Sequence, residues 1–169
     1  SIYLDDIPII QGTQFGVVFD SPVAHGTITS IDYTKALATP GVIRIITHED
    51  IPGQNQIGGI IPDEQLFAST EVHFVGQPIA LIIAESDQIA FKARKLIELE
   101  IAKKDIIVNP RGAQQIGQLI IPPRTFKLGD TENSWENCVH IFDGQADSNG
   151  QEHLYIETQG AYAVPLENG

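Results

Sequence analysis

The stretch GQEHLYIETQ, residues 150–159, brings two glutamates, a histidine, a tyrosine and two glutamines into one short segment. Glu152, His153 and Glu157 are residue types that serve as general acids and bases. As a strand, the segment puts Gln151, His153, Tyr155, Glu157 and Gln159 on one face and Glu152, Leu154, Ile156 and Thr158 on the other. A polar face of that kind either does chemistry or forms a hydrogen-bonded surface that docks a partner domain. A small hydrolase built on Glu152, His153 and Glu157 needs a nucleophile or a metal, and no convincing candidate for either is found.

Other chemical signatures are missing. There is no phosphate loop with its Lys-Ser/Thr, no G-x-G-x-x-G opening a helix and no G-x-S-x-G elbow. His25, His48, His73, His140 and His153 show no H-E-x-x-H spacing, so scattered histidines are expected rather than a metal site. His48-Glu49-Asp50 resembles a ligand run, but it precedes Ile51-Pro52-Gly53, where turn capping accounts for it.

Composition narrows the classes further. The 169 residues are 42% hydrophobic, enough for one folded domain or a domain with an appendage. The net charge of −12 repels phosphate backbones and anionic bilayers, so neither nucleic acid nor membrane is an expected partner. The longest apolar run, 79–84, is far too short to span a bilayer. The single Cys138 supports no intrachain disulfide, cysteine zinc site or iron–sulfur cluster, and a cytoplasmic location is the simplest expectation. The absence of methionine predicts a processed or cropped chain. AYAVPLENG reads as a strand entering a turn without the strand that should follow.

The elements that would position these residues can be read from pattern. QFGVVFD (14–20), HGTITSID (25–32), GVIRIIT (41–47) and PIALIIA (78–84) read as strands, the last covered on both faces. YTKALA (33–38) predicts a short helix stopped by Pro40-Gly41. Ser86 is placed to cap a helix whose apolar face is Ile89, Ala90, Ala93, Leu96 and Ile97, with Lys92 and Lys95 facing away. Next, Leu99 and Ile101 alternate with Glu98 and Glu100 as a further strand. Strand–helix–strand thus occurs twice, at 25–47 and 78–102, predicting an α+β fold with both helices packed on a sheet. HEDIPGQNQIGGIIP (48–62) reads as a loop, and 110–137 as a linker with one short helix. CVHIFDGQAD (138–147) and GQEHLYIETQGAYAV (150–164) read as strands of a second unit.

Several motifs occur together in one order: YLDDIP (3–8), SPVAHG (21–26), ATPGV (38–42), THEDIPGQN (47–55), DEQLFA (63–68), VHFVGQPIALIIAES (72–86), GD (129–130) and GQEHLYIETQ. In that order they resemble the molybdenum hydroxylases, the xanthine dehydrogenases and aldehyde oxidases, over nearly the whole chain. The resemblance implies an α/β hammerhead domain at 1–109, a linker at 110–137, and at 138–169 the first strands of the larger molybdopterin-binding domain. It implies an oxidoreductase in which a molybdenum-bound hydroxyl attacks a purine or aldehyde carbon, with a glutamate as base. That base and the cofactor loops match no position in this chain. Hence no catalytic, cofactor-binding or metal residue is expected here. Molybdenum–molybdopterin would belong to the full-length protein, with iron–sulfur clusters and FAD on other domains or subunits.

The resemblance further implies that Ile60 and Ile61, in the loop before the DEQLFA motif, line a substrate channel. The alternative is that both pack under their own loop. Gln77, also in a shared motif, is explained equally by packing at a strand end. Gln151, His153, Tyr155 and Glu157 become docking candidates. Expected partners are the remainder of the molybdenum-binding domain and the iron–sulfur/FAD domain or subunit. A stand-alone interaction module reusing the hammerhead is the competing reading.

Overall fold

The computed structural model describes residues 2–154, 156 and 159–167. It divides into two units, Ile9–Ile116 and Ser1–Pro8 with Gly117–Gly169.

The first unit holds all the strands among the described residues. They are β1 (Phe15–Asp20), β2 (Gly26–Asp32), β3 (Val42–Ile46), β4 (Glu71–Val72), β5 (Pro78–Ala84) and β6 (Glu98–Lys103). Helix α1 (Thr34–Leu37) lies between β2 and β3, and α2 (Asp87–Arg94) between β5 and β6. Two antiparallel three-stranded sheets result, ordered β1-β5-β3 and β4-β2-β6. Two sheets stand where one was expected, but both helices pack on the same one, β1-β5-β3, α2 against β1 and β5 and α1 against β3. Each strand–helix–strand unit crosses between sheets: β2 and β3 fall in different sheets, as do β5 and β6. Periodicity reports which face of a strand is apolar and not which neighbour it pairs with, so the crossing leaves no local trace.

The apolar run of β5 makes it the central strand of its sheet. Ile79, Ala80, Ile82 and Ala84 are buried, while Leu81 and Ile83 are half-buried. Val17 of β1 sits opposite Ile82, as does Ile45 of β3, and all three belong to one hydrophobic core. Helix α2 packs on this sheet through Ala90 and Ala93, both fully buried. It starts where expected, with the Ile89 N–H donating to Ser86 Oγ at 3.3 Å. It ends earlier than its apolar spacing suggests, at Arg94, and Leu96 is exposed. Lys92 and Lys95 are exposed, as expected. Arg94 Nη2 donates to Asp20 Oδ1 at 2.8 Å, tying the helix to the end of β1. In β6, Leu99 and Ile101 pack on the core while Glu98 and Glu100 are exposed. His48–Asp50 forms a single 3-10 turn capped by Thr47, the capping role read from the sequence.

The second unit carries no strand among its described residues. The strands expected at 138–147 and 150–164 are absent there, and the described residues of both stretches are irregular and exposed. A strand requires a ladder partner for its N–H and C=O groups, and the described residues of this unit form no ladder. The region 110–137 holds two short helices rather than one. Helix α3 (Pro110–Gln115) has Asn109 at its N-cap and proline at its first position, and α4 (Thr131–Ser134) is capped by Asp130. No helix among the described residues is long and apolar enough to cross a membrane.

Candidate functional site

The loop between β3 and β4 is tied down at its base. Asn55 clamps the Phe67 backbone from both sides: its Nδ2–H donates to Phe67 O at 2.7 Å, and its Oδ1 accepts the Phe67 N–H at 3.0 Å. Phe67 and Ala68 are buried, and the Ala68 N–H donates to Pro78 O at 2.8 Å, which anchors the clamp to β5. One step outward, the Ile57 N–H donates to Glu64 O at 2.8 Å. Gln56 Nε2 reaches Gly58 O at 3.1 Å. A Cβ on Gly58 would stand 2.1 Å from the Ile61 carbonyl oxygen, so only glycine lets the chain fold back there. The ends of the segment meet while its middle projects, the arrangement of an Ω-loop. Ile60, midway between the paired Ile57 and Glu64, is 98% exposed. Ile61 is half-buried. Ile60 therefore does not pack beneath its own loop. An isoleucine here offers shape and water exclusion, with no group that could transfer a proton.

A second cluster lies at one end of the β4-β2-β6 sheet. The His25 Nδ1–H donates to Asp105 O at 2.8 Å, and its Nε2–H donates to Glu71 Oε1 at 2.6 Å. Both ring nitrogens thus face oxygen acceptors. The Asp105 carbonyl and then the Glu71 carboxylate raise its pKa above the ordinary histidine value. Lys104 Nζ donates to Glu71 Oε2 at 2.9 Å, and Lys104 followed by His25 lowers the Glu71 pKa. The His73 ring stacks on His25 with centroids 5.8 Å apart. Gly26, next to His25, lets β6 approach closely: a Cβ there would come within 2.8 Å of the Ala102 carbonyl oxygen. Reading residues by spacing misses the cluster, because Glu71 and His73 are far from His25 in sequence. The available signal was the alternation of Glu71 and His73, which places both on one face of a strand.

Two of the shared motifs meet at the turn before β5. The Ser21 N–H donates to Gln77 O at 2.9 Å, and the Gly76 N–H returns a bond to Ser21 O at 2.8 Å. Gln77 is only 2% exposed, and its Oε1 accepts the His73 N–H at 2.6 Å. Packing at the strand end thus accounts for Gln77, and the same bond positions His73.

The described residues of the segment GQEHLYIETQ are exposed. Gln151 and His153 are exposed and irregular, and the His153 N–H donates to Glu152 Oε1 at 3.0 Å. Tyr155 and Glu157 lie outside the described residues. The helix caps each take one or two N–H groups: Ser86 that of Ile89, Asn109 those of Arg111 and Gly112, and Asp130 that of Asn133. Among the described residues no buried side-chain polar atom is left without a partner, so none is aimed at a missing ligand.

Comparison with known proteins places this architecture. The family model for the a/b hammerhead domain of aldehyde oxidase and xanthine dehydrogenase matches residues 1–105. Xanthine dehydrogenase of Dictyostelium discoideum is 34% identical over 99% of this chain, and aldehyde oxidase 2 of Rattus norvegicus is 34% identical over 98%. The chain spans 12% of the length of each of those curated relatives. Among solved structures, CO dehydrogenase from Oligotropha carboxidovorans superposes with a TM-score of 0.61 at 31% identity, over 66% of this chain and 14% of that one. Quinoline 2-oxidoreductase from Pseudomonas putida 86 superposes with a TM-score of 0.56 at 30% identity, over 67% of this chain and 15% of that one. The chain belongs to the aldehyde oxidase and xanthine dehydrogenase family of molybdenum hydroxylases, and its matched residues 1–105 are the family's hammerhead domain.

Proposed function

We propose that this chain is the N-terminal portion of the molybdenum-binding region of a xanthine dehydrogenase-like oxidoreductase that hydroxylates a purine or an aldehyde. Its own contribution is structural: it shapes a substrate entrance and docks neighbouring domains. Residues 1–109 act as the hammerhead, 110–137 as the linker and 138–169 as the start of the molybdopterin-binding domain. The cofactor is held by the remainder of the protein, with iron–sulfur clusters and FAD on other domains or subunits.

The observation that carries this reading is Ile60. A large apolar side chain that is 98% exposed loses the burial that would stabilise it, about 1.5–3 kcal/mol for a side chain of this size. The Asn55 clamp and the Gly58 fold-back nevertheless hold it outward. Rigid presentation of an apolar residue on a loop suits a channel wall, with Ile61 behind it. Supporting the docking role, Val139, Phe142, Leu154 and Ile156 are strongly exposed, a pattern that suits burial against a neighbouring domain. Gln151, His153, Tyr155 and Glu157 would supply the polar part of that contact.

The test compares the complete protein with the 169-residue chain for molybdenum, pterin and turnover of xanthine and an aldehyde. Metal, pterin and turnover in the complete protein alone support the reading. Turnover or tightly held pterin in the 169-residue chain overturns it. In the complete protein, Ile60→Trp should raise KM for a bulky substrate several-fold more than for a small one. Equal effects on both substrates would remove Ile60 from the channel.

A further inference from the structure

We propose that His25, Glu71 and His73 form a binding site for a divalent transition-metal ion of the zinc class at the edge of the hammerhead. The argument starts from strand register. Strands β2 and β4 pair antiparallel, with Gly26 opposite Val72 and Thr27 opposite Glu71. One step beyond that ladder, His25 faces His73, and the rings stack at 5.8 Å. Glu71 belongs to β4 and His73 follows that strand directly, two positions on, so alternation turns both side chains toward His25. Two imidazoles and a carboxylate thereby converge from adjacent strands. One donor atom from each lies within 4.8 Å of the other two.

The donor chemistry suits such an ion. Zinc holds imidazole nitrogen and carboxylate oxygen at about 2.0–2.2 Å, so small side-chain rotations bring all three donors onto one centre. The bond from His25 Nδ1–H to Asp105 O turns Nε2 inward, the outer-sphere contact that orients metal-bound histidines. Glu71 Oε1 already faces that nitrogen at 2.6 Å, and the cation takes the place of the proton shared between them. Lys104 Nζ opposes the ion by its charge, but it engages Oε2 and leaves Oε1 to coordinate. On the backbone side, Gln77 Oε1 fixes the His73 N–H. The His73 side chain stands at the exposed rim, so a water completes a four-coordinate site. The chain's net charge of −12 raises the local concentration of cations around it.

The test is a calorimetric titration of the 169-residue chain with ZnCl2, alongside His73→Ala, Glu71→Gln and His140→Ala. Circular dichroism of each variant shows that the fold is retained, and His73 is the principal variant because its side chain lies at the surface. One equivalent should saturate the chain. His73→Ala and Glu71→Gln should each weaken binding about tenfold or more, and His140→Ala should leave it unchanged. The ring-proton resonances of His25 and His73 should shift on zinc addition, while those of His140 stay in place. Absence of saturable uptake overturns the proposal. Uptake of equal affinity in the wild-type chain and in His73→Ala overturns it as well.

Discussion

Residues 15–103 and residues 117–167 both carry many large apolar side chains but put them to opposite uses. In the first, Ile79, Ile82 and Val72 are almost fully buried between strands whose backbone groups pair. In the second, Ile120, Phe126, Phe142 and Ile156 are exposed, and every described residue from Gln114 onward is exposed. Hydrophobicity alone does not bury a side chain. A ladder or a helix face must first satisfy the backbone that carries it. Two three-stranded sheets accomplish that within residues 15–103, whereas the described part of 117–167 offers one four-residue helix and one 3-10 turn.

That contrast predicts where substitutions matter. The largest effect should come from Ile82→Ala at the centre of β5. Its side chain is fully buried, and the loss should be about 2–5 kcal/mol by denaturant unfolding. The same truncation at Ile120, which is 91% exposed, should change stability by under about 0.5 kcal/mol. Comparable losses at the two positions would mean that the second region has a core of its own.

Next in size is Gln77→Leu. The substitution keeps the volume but leaves the His73 N–H without its acceptor, at a cost of about 1–3 kcal/mol. An unchanged unfolding midpoint would show that the Ser21–Gly76–Gln77 turn is held by its backbone bonds alone.

Asp50 gives a smaller, pH-dependent effect. The Thr47 N–H and then Arg44 hold its pKa below the ordinary aspartate value of 3.8. A group depressed in the folded state adds stability above its unfolded pKa. That stability is lost as pH falls through the folded value. Asp50→Asn should therefore destabilise the chain near neutral pH and converge with the wild type well below pH 3.8. A constant difference between the two across that range would contradict the Thr47 and Arg44 contacts. The smallest effect is expected for Ile60→Ser, within about 0.5 kcal/mol, since the side chain it removes touches mainly water. A large loss would show that Ile60 is buried in the free chain.

The sequence was informative wherever local chemistry decides. The bounds of β5, the Ser86 cap and the outward lysines of α2 follow from apolar spacing and a hydroxyl before a helix. The 3-10 turn at His48 follows from an acidic residue that can bond back to Thr47. Pairing was not legible. Nothing in HGTITSID indicates that β2 lies between β4 and β6 rather than beside β3. For the same reason the Asn55–Phe67 clamp and the meeting of His25 with Glu71 and His73 could not be foreseen. Each depends on which strands become neighbours. The strand expected at GQEHLYIETQ does not form among its described residues. Alternation describes a strand only where a partner exists, and the described residues provide none.

Hydrogen exchange by mass spectrometry, on the 169-residue chain at low concentration and on the complete protein, tests the central contrast most directly. The prediction is strong protection of 15–20, 78–84 and 98–103 in both samples, with protection of 117–154 only in the complete protein. Equal protection of 117–154 in the isolated chain would contradict the account, because that region would then be folded without the domain proposed to cover it.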